Sequence, residues 1–385
     1  MNKQKLDINN TRSVKSIGIT GQNGFIGRHL FNTLGLFPEK YKRIAFDKEW
    51  FQNEKMMDDF VSQCDVIVHL AAMNRHSDPE IIYNTNIKLV QKLITSLNNT
   101  GSKAHVLFSS SSQEEQNNLY GKSKKEGREL LINWAEKSGG KFTAFIIPNV
   151  FGPFGRPNYN SFIATFCHKL THNEVPHIDK DAEVNLIYVG ELVQEIIKQI
   201  DVGESNYSYK VSSTATKKVS EVLSLLNEYK ATYFTKGEIP PIQNVFEHNL
   251  FNTYRSYIDH QAHFPIKFMQ HKDPRGAFVE VIRLGIGGQC SFSTTVPGIT
   301  RGNHYHTRKI ERFAVIKGKA LIQLRKIDSD QVFDFYIEGN EPAYVDMPIW
   351  YTHNIKNIGD EELYTIFWID EPYNPEDSDT YFLEV

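Results

Sequence analysis

Short apolar runs alternate with polar, helix-length stretches along roughly the first two-thirds of the chain. Ser16–Thr20, Arg43–Phe46, Val66–Leu70, His105–Phe108 and Phe142–Ile147 read as five strands, with helices such as Asn86–Asn98 and Lys122–Lys137 between them. That alternation is the mark of βαβ units, so it predicts an α/β, Rossmann-like doubly wound parallel sheet. After about Asn244 the pattern changes to short, closely spaced strands, with turns at Pro274–Gly276, Lys317–Lys319 and Glu338–Asn340. Helical periodicity fades there, which predicts an antiparallel all-β sandwich or barrel. The boundary is expected near Val245–Ile258, dividing the chain into domains of residues 1–250 and 251–385.

Composition supports two cores. The chain has 385 residues, more than one core usually organises, and 40% of them are hydrophobic. A formal net charge of -3 without a dense Lys/Arg tract argues against nucleic acid or an anionic membrane as partners. Met1–Ser16 is polar and lacks a signal-peptide core, and no long apolar run is present to span a membrane. Cys64, Cys167 and Cys290 are scattered singly, as expected in a reducing compartment. The expectation is a soluble, cytoplasmic protein.

The turn after the first strand reads Thr20-Gly21-Gln22-Asn23-Gly24-Phe25-Ile26-Gly27 and opens a helix. Glycines in that position allow a tight turn, close backbone approach to a pyrophosphate and close helix–strand packing. The helix start then offers amide donors to the phosphates. Asp47 closes the second predicted strand, 20 residues after Gly27, where a carboxylate can bind the adenine ribose hydroxyls. A carboxylate there favours NADH, because it repels the extra phosphate of NADPH; Arg28, Arg43 and Lys48 lie near enough in sequence to offset that repulsion.

Tyr120-Gly121-Lys122-Ser123-Lys124 sets a phenol and an ammonium four residues apart, on one face of a helix. A neighbouring cation makes a phenol a usable acid near neutrality. Upstream, the run Ser109-Ser110-Ser111-Ser112 follows the fourth strand and offers a hydroxyl to polarise a carbonyl. In this order the motifs resemble the extended short-chain dehydrogenase/reductases that act on nucleotide sugars. His69-Leu70-Ala71-Ala72, Pro148-Asn149-Val150-Phe151-Gly152-Pro153 and Asn185-Leu186-Ile187-Tyr188-Val189 add to the resemblance, which covers about residues 16–240. It implies that Ser111 polarises, Tyr120 transfers the proton and Lys124 tunes it, with Ser110 and Ser112 as alternatives to Ser111. It also implies that Leu70, Ala71 and Ala72 join Gly21, Asn23, Gly24, Phe25, Ile26, Gly27 and Asp47 around the cofactor, with Tyr120 and Lys124 also contacting it.

In the second half His304 and His306 alternate with Tyr305 on a predicted strand, so both imidazoles face one way. Glu311 follows closely, and His353 comes from a distant strand. Together they make a mixed N/O site suited to Zn, Mn, Fe or Ni. The pattern, with Gly318, Pro348 and Asn357, resembles the two cupin motifs, which implies a double-stranded β-helix (jelly roll) domain. Asp273-Pro274-Arg275-Gly276-Ala277-Phe278-Val279-Glu280 and Thr300-Arg301-Gly302-Asn303-His304-Tyr305 resemble the cupin epimerases of 4-keto-6-deoxy sugars. There the first His is the proton-abstracting base, so His304 is either ligand or base.

Over nearly its whole length the chain resembles the CapF/WbjC enzymes of capsule and O-antigen synthesis, a reductase–cupin fusion. The segments Pro157-Asn158-Tyr159-Asn160-Ser161, Tyr351-Thr352-His353-Asn354-Ile355 and Asp379-Thr380-Tyr381-Phe382-Leu383-Glu384-Val385 carry this likeness. It implies a UDP-2-acetamido-2,6-dideoxy-4-hexulose substrate and a UDP-N-acetyl-6-deoxy-L-talosamine product, on the route to UDP-N-acetyl-L-fucosamine. NADPH, zinc in the cupin and a homodimer are implied with it. Asn149, Asn158, Tyr159 and Asn160 are the expected sugar contacts; as generic polar groups they leave the exact sugar to pocket shape. The alternatives keep the C4-reductase and make the cupin either a 3,4-ketoisomerase or a non-catalytic metal-binding dimerisation module.

Overall fold

The fold is described from a computed structural model, which covers residues 14–159, 161–273, 276–279, 281–282, 287–371 and 374–385. By packing, the chain forms two compact units. One takes the residues up to Val150 together with Asn185–Thr216, and the other takes Phe151–Val184 with Lys217–Val385.

The first unit is built on a six-stranded, all-parallel sheet. Its spatial order is Tyr41–Ile44, Lys15–Thr20, Val66–His69, His105–Ser111, Phe142–Ile147 and Asn206–Lys210. Alternate side chains of these strands pack on opposite faces, as the two-residue period of a strand requires. Ile67, Val106 and Phe142 meet the helices Glu54–Ser62, Pro79–Thr100 and Leu119–Ser138. Ile17, Val68 and Phe145 meet the helices Phe25–Leu34 and Val189–Val202. This is the predicted doubly wound sheet.

Several boundaries move, each for a local reason. The second strand is Tyr41–Ile44, not Arg43–Phe46, because buried Tyr41 and Ile44 bracket the exposed Lys42 and Arg43. Phe46 is buried instead in an aromatic group with Trp50, Phe51 and Phe60. Asp47 therefore does not close a strand; it caps the short helix Lys48–Gln52, its Oδ1 accepting from Glu49 N at 2.8 Å. The fourth strand runs on to Ser111, since its serine hydroxyls find partners without leaving the sheet. The helix predicted at Asn86–Asn98 starts at Pro79, where the Asp78 carboxylate accepts from Glu80 N and Pro79 needs no N–H.

The second unit carries two five-stranded antiparallel sheets. In one the order is Ile266–Lys267, Ala343–Met347, Glu311–Lys317, Leu363–Ile369 and Gln289–Thr295. In the other it is Val332–Glu338, Lys319–Lys326, Tyr351–Asn357, Thr300–Tyr305 and Tyr381–Phe382. Phe313, Val315, Ile322, Leu324, Val345 and Ile355 fill the space between them, the cupin-like arrangement expected. Helical structure persists further than the sequence pattern indicates. Val245–Arg255 is a helix that buries Leu250, Phe251 and Tyr254, its apolar stripe diluted by buried Asn252, Thr253 and Arg255. Arg255 is buried beside an ion pair between Arg312 and Asp346 that is almost free of solvent. Among the described residues no helix is long and apolar enough to cross a membrane.

Candidate active site and metal centre

Gly21 lies at φ +78°, and a methyl group on it would stand 2.8 Å from Ala71 N. Gly27 is tighter still: a Cβ would fall 2.2 Å from Gly21 O. The helix Phe25–Leu34 starts at Gly24, whose N–H donates to Gly21 O at 2.9 Å, and no side chain caps the helix. Its first amides therefore meet no internal competitor, and the backbone cradle fits a dinucleotide pyrophosphate. Leu70 N donates to Thr20 O at 3.1 Å, which holds Leu70, Ala71 and Ala72 against the turn. Asn23 and Asp47 are exposed near it. Arg43 stacks on Phe31, 4.5 Å from the ring centroid, and donates to Phe31 O at 3.2 Å. Gly27→Ala should weaken NAD(P)H binding by about tenfold or more, ~1.4 kcal/mol. Fluorescence titration checks this, and unchanged affinity would refute the close-packing role.

Tyr120 and Lys124 lie on the helix Leu119–Ser138, whose start is set by Asn118 Oδ1 accepting from Gly121 N at 2.7 Å. Lys124 reaches back to the sheet and donates to Ser109 O at 2.9 Å. Its ammonium stands 5.8 Å from the Tyr120 ring centroid and 5.2 Å from that of Phe108. Burial pulls its pKa down to about 8, with Glu114 opposing. The serines sort by partner. Ser109 donates to His69 O at 3.3 Å, and the Ser110 hydroxyl is bonded to the buried Glu114 carboxylate. Ser111 instead accepts, from Gln113 N at 3.2 Å, which leaves its proton uncommitted among the described residues. Ser112 opens the following short helix and is exposed.

Two supporting residues escape a reading of the sequence. Glu114 accepts from Arg128 Nε at 3.0 Å and Nη2 at 2.7 Å, bracing the serine-bearing strand end. Asn86 donates to Met73 O at 3.1 Å and to Ser123 Oγ at 3.0 Å, tying the loop after the third strand to the Tyr–Lys helix. Each is a polar residue buried within a helical segment, and linear spacing does not reveal its partner.

Of the expected sugar contacts, Asn149 is exposed in the first unit, its Nδ2 3.4 Å from Asn185 O. Asn158 and Tyr159 belong to the second unit. Asn158 sits at φ 55° with its N–H donating to Thr165 Oγ1 at 2.9 Å, and Arg156 lies over the Tyr159 ring at 5.2 Å. Asn160 lies outside the described residues, as does part of the segment from Asp273 to Glu280.

In the second unit, His304, His306, Glu311 and His353 present ligand atoms within 4.8 Å of one another. An irregularity in the pairing between Gly302 and His304, with Gly302 at φ 99° and Asn303 at φ 59°, sets the ring positions on that strand. His353 pairs directly opposite His304. The proton positions follow from the outer bonds. His306 Nδ1 donates to Asp379 O at 2.5 Å, and His353 Nδ1 to Tyr351 O at 3.1 Å. Both Nε2 atoms turn toward the same Glu311 oxygen, at 3.1 and 3.2 Å. Two imidazole nitrogens and a carboxylate oxygen converging on one point can share positive charge, as protons or as a divalent cation, so this donor set fits a divalent metal. Burial pushes the Glu311 carboxyl up, but His306 and His353 override it and hold it well below the usual carboxylate range. Burial and the neighbouring His353 bring His304 down to about 4, which keeps its ring neutral and able to coordinate at pH 7.

A dinucleotide-cradling sheet with a Tyr–Lys helix, joined to a His- and Glu-lined β-domain, defines a nicotinamide-dependent oxidoreductase/epimerase class. Residues 17–212 match the NAD dependent epimerase/dehydratase family, and residues 271–381 match the polysaccharide biosynthesis C-terminal domain. The chain is 33% identical over 372 residues to a UDP-2-acetamido-2,6-beta-L-arabino-hexul-4-ose reductase of Pseudomonas aeruginosa, spanning 95% of this chain and 98% of that one. The crystal structure of the capsular polysaccharide assembling protein CapF from Staphylococcus aureus superposes with a TM-score of 0.61 at 34% identity, covering 96% of this chain and 100% of that chain. RMD from Pseudomonas aeruginosa, solved with NADPH, shares the fold at a TM-score of 0.51 and 19% identity, over 57% of this chain and 83% of that one. The chain therefore belongs to the NAD dependent epimerase/dehydratase family, as an enzyme of the CapF/WbjC type.

Proposed function

We propose that the chain is a bifunctional C3-epimerase/C4-reductase of a UDP-2-acetamido-2,6-dideoxy-4-hexulose, yielding UDP-N-acetyl-6-deoxy-L-talosamine on the route to UDP-N-acetyl-L-fucosamine. The observation that carries this reading is Lys124, a buried ammonium fixed at the serine-bearing strand end on the same helix as Tyr120. The Pseudomonas relative, a reductase of a UDP-linked hexul-4-ose, supports the substrate class.

When bound, a nicotinamide cofactor supplies two electrons as hydride, and a divalent metal supplies positive charge near developing negative charge. The protein's own groups do the rest. Gly21, Gly24 and Gly27 let the backbone approach the pyrophosphate. The Ser111 hydroxyl hydrogen-bonds the C4 carbonyl oxygen and polarises it, keeping its own proton, and Tyr120 gives its phenolic proton to that oxygen as C4 is reduced. Lys124 keeps positive charge beside the phenol as it becomes phenolate. NADPH is the proposed cofactor by resemblance, with Asp47 leaving NADH usable. In the β-domain, His304, His306, Glu311 and His353 hold the metal, proposed to be zinc. Asn149, Asn158, Tyr159 and Asn160 contact the sugar. The enzyme acts as a homodimer in this reading.

The order of the two reactions follows from the ketone. A C4 carbonyl acidifies the C3 proton because the carbanion delocalises onto oxygen. Inversion at C3 is open only while the ketone survives, and reduction then traps the new configuration. Turnover in deuterium oxide should place solvent deuterium at C3 of the product, read by mass spectrometry and NMR. Full turnover without C3 label would leave the β-domain without its epimerase role.

Lys124 also gives a pH dependence. Its lowered pKa of about 8 means the ammonium is present at neutral pH and is lost above that value. The reductive rate should therefore fall as pH rises through this range, and a profile flat to pH 10 would contradict a charged Lys124 in the step.

A further inference from the structure

The segment joining two of the proposed ligands, residues 306–311, is held by one carboxylate in a way its length does not require. Asp379 is 3% exposed and adopts φ 42°. Its side chain accepts from Thr307 N at 3.1 Å, Thr307 Oγ1 at 2.6 Å, Arg308 N at 3.0 Å and Lys309 N at 3.2 Å. Lys309 Nζ donates to the neighbouring Ser378 O at 2.8 Å. The main-chain oxygen of the same Asp379 takes the Nδ1 proton of His306. One residue thus grips the loop with its side chain and a ligand imidazole with its backbone.

These two grips are coupled. The His306 ring points its Nε2 toward Glu311 only while the Asp379 carbonyl stays where it is. That carbonyl is placed by the three amides and one hydroxyl that bind the carboxylate. A ligand histidine whose second nitrogen is held in this way has its tautomer and ring plane fixed before any cation arrives. Asp also suits the left-handed backbone there better than most side chains.

We propose that Asp379 is a positioning residue of the metal centre, which sets His306 through its carbonyl and sets that carbonyl through its own carboxylate. The proposal rests on the metal reading given above. The probe is Co2+, titrated into metal-free full-length protein and followed by its visible d–d absorption. Asp379→Asn keeps size and left-handed backbone but loses acceptors, so Co2+ affinity should fall by ~10–100-fold with altered bands. Asp377→Asn is the control: Asp377 also bonds Arg308, at 2.9 Å, but touches no ligand, so affinity should stay within about twofold of wild type.

Wild-type protein that gives no Co2+ bands overturns the metal reading itself. Bands in wild type with equal affinity in Asp379→Asn overturn the positioning role and leave the metal in place. Equal losses in both variants also overturn it, since the segment would then act only as general bracing. If Asp379→Asn loses its far-UV circular dichroism, Thr307→Val replaces it, removing the 2.6 Å bond alone. A loss of about threefold with the same band change is then expected, and unchanged Co2+ binding overturns the proposal.

Discussion

Tyr120→Phe should lower substrate-dependent NAD(P)H oxidation by about 10²–10⁴-fold, the range that a positioned proton donor contributes. The substitution removes one oxygen. The helix start rests on Asn118 and the strand end on Lys124 and Ser109, so both should survive. Cofactor affinity should change little, because the glycine turn and the Lys124 ammonium are intact. Exchange of the C3 proton with solvent should continue at its normal rate, since the proposed epimerisation draws on the His304 cluster and needs no phenol. Parallel measurements of NAD(P)H absorbance and C3 deuterium content test both halves. Loss of exchange together with oxidation would contradict two independent sites.

Asp346→Ala should destabilise the second unit by ~3–5 kcal/mol, the usual effect of removing one partner from a buried ion pair. Asp346 is 1% exposed and accepts from Arg312 Nε at 2.7 Å and Nη2 at 3.0 Å. Tyr233 OH also donates to it, at 2.5 Å, and Arg255 lies close by, donating to Met347 O at 3.0 Å. Without the carboxylate, Arg312 stays buried over Tyr344, its guanidinium 3.7 Å from the ring centroid, with an uncompensated charge. An exposed pair gives the contrast. Lys319 and Glu338 are 3.4 Å apart with both side chains more than half exposed, and Lys319→Ala should change stability by less than about 1 kcal/mol. Urea denaturation of the full-length protein measures both, and similar effects from the two substitutions would defeat the argument from burial.

How far the sequence could be read depended on whether an element announces itself locally. The parallel sheet was legible because Val66–His69 and Phe142–Ile147 are mostly apolar, interrupted only by His69 and Thr143, as befits strands buried on both faces. The glycine turn and the Tyr120–Lys124 spacing were legible because their chemistry is confined to a few consecutive residues. His304, His306, Glu311 and His353 could be proposed as a set, and the chain does bring them together. Roles that depend on remote partners were hidden. Asp47 looked like a strand end, yet its carboxylate is used in capping Glu49. The four serines were indistinguishable until their acceptors, His69 O and Glu114, were in place. The helix Val245–Arg255 was missed because Asn252, Thr253 and Arg255 are buried where apolar residues would have drawn a clean stripe.

The path of the chain between its units bears on any attempt to separate them. Phe151–Val184 packs with the second unit, and the chain then returns to the first for Asn185–Thr216 before leaving again. The two bodies are interleaved in sequence, so no single backbone break frees one of them whole. A truncation after Val245 would remove both five-stranded antiparallel sheets and most of the helix Val245–Arg255, against which the excursion's helix Phe162–Thr171 packs. Folding inherits the same constraint. Neither unit can be completed from one uninterrupted stretch of chain, and closing each requires contacts between distant segments, which slows folding through the entropy of long loops.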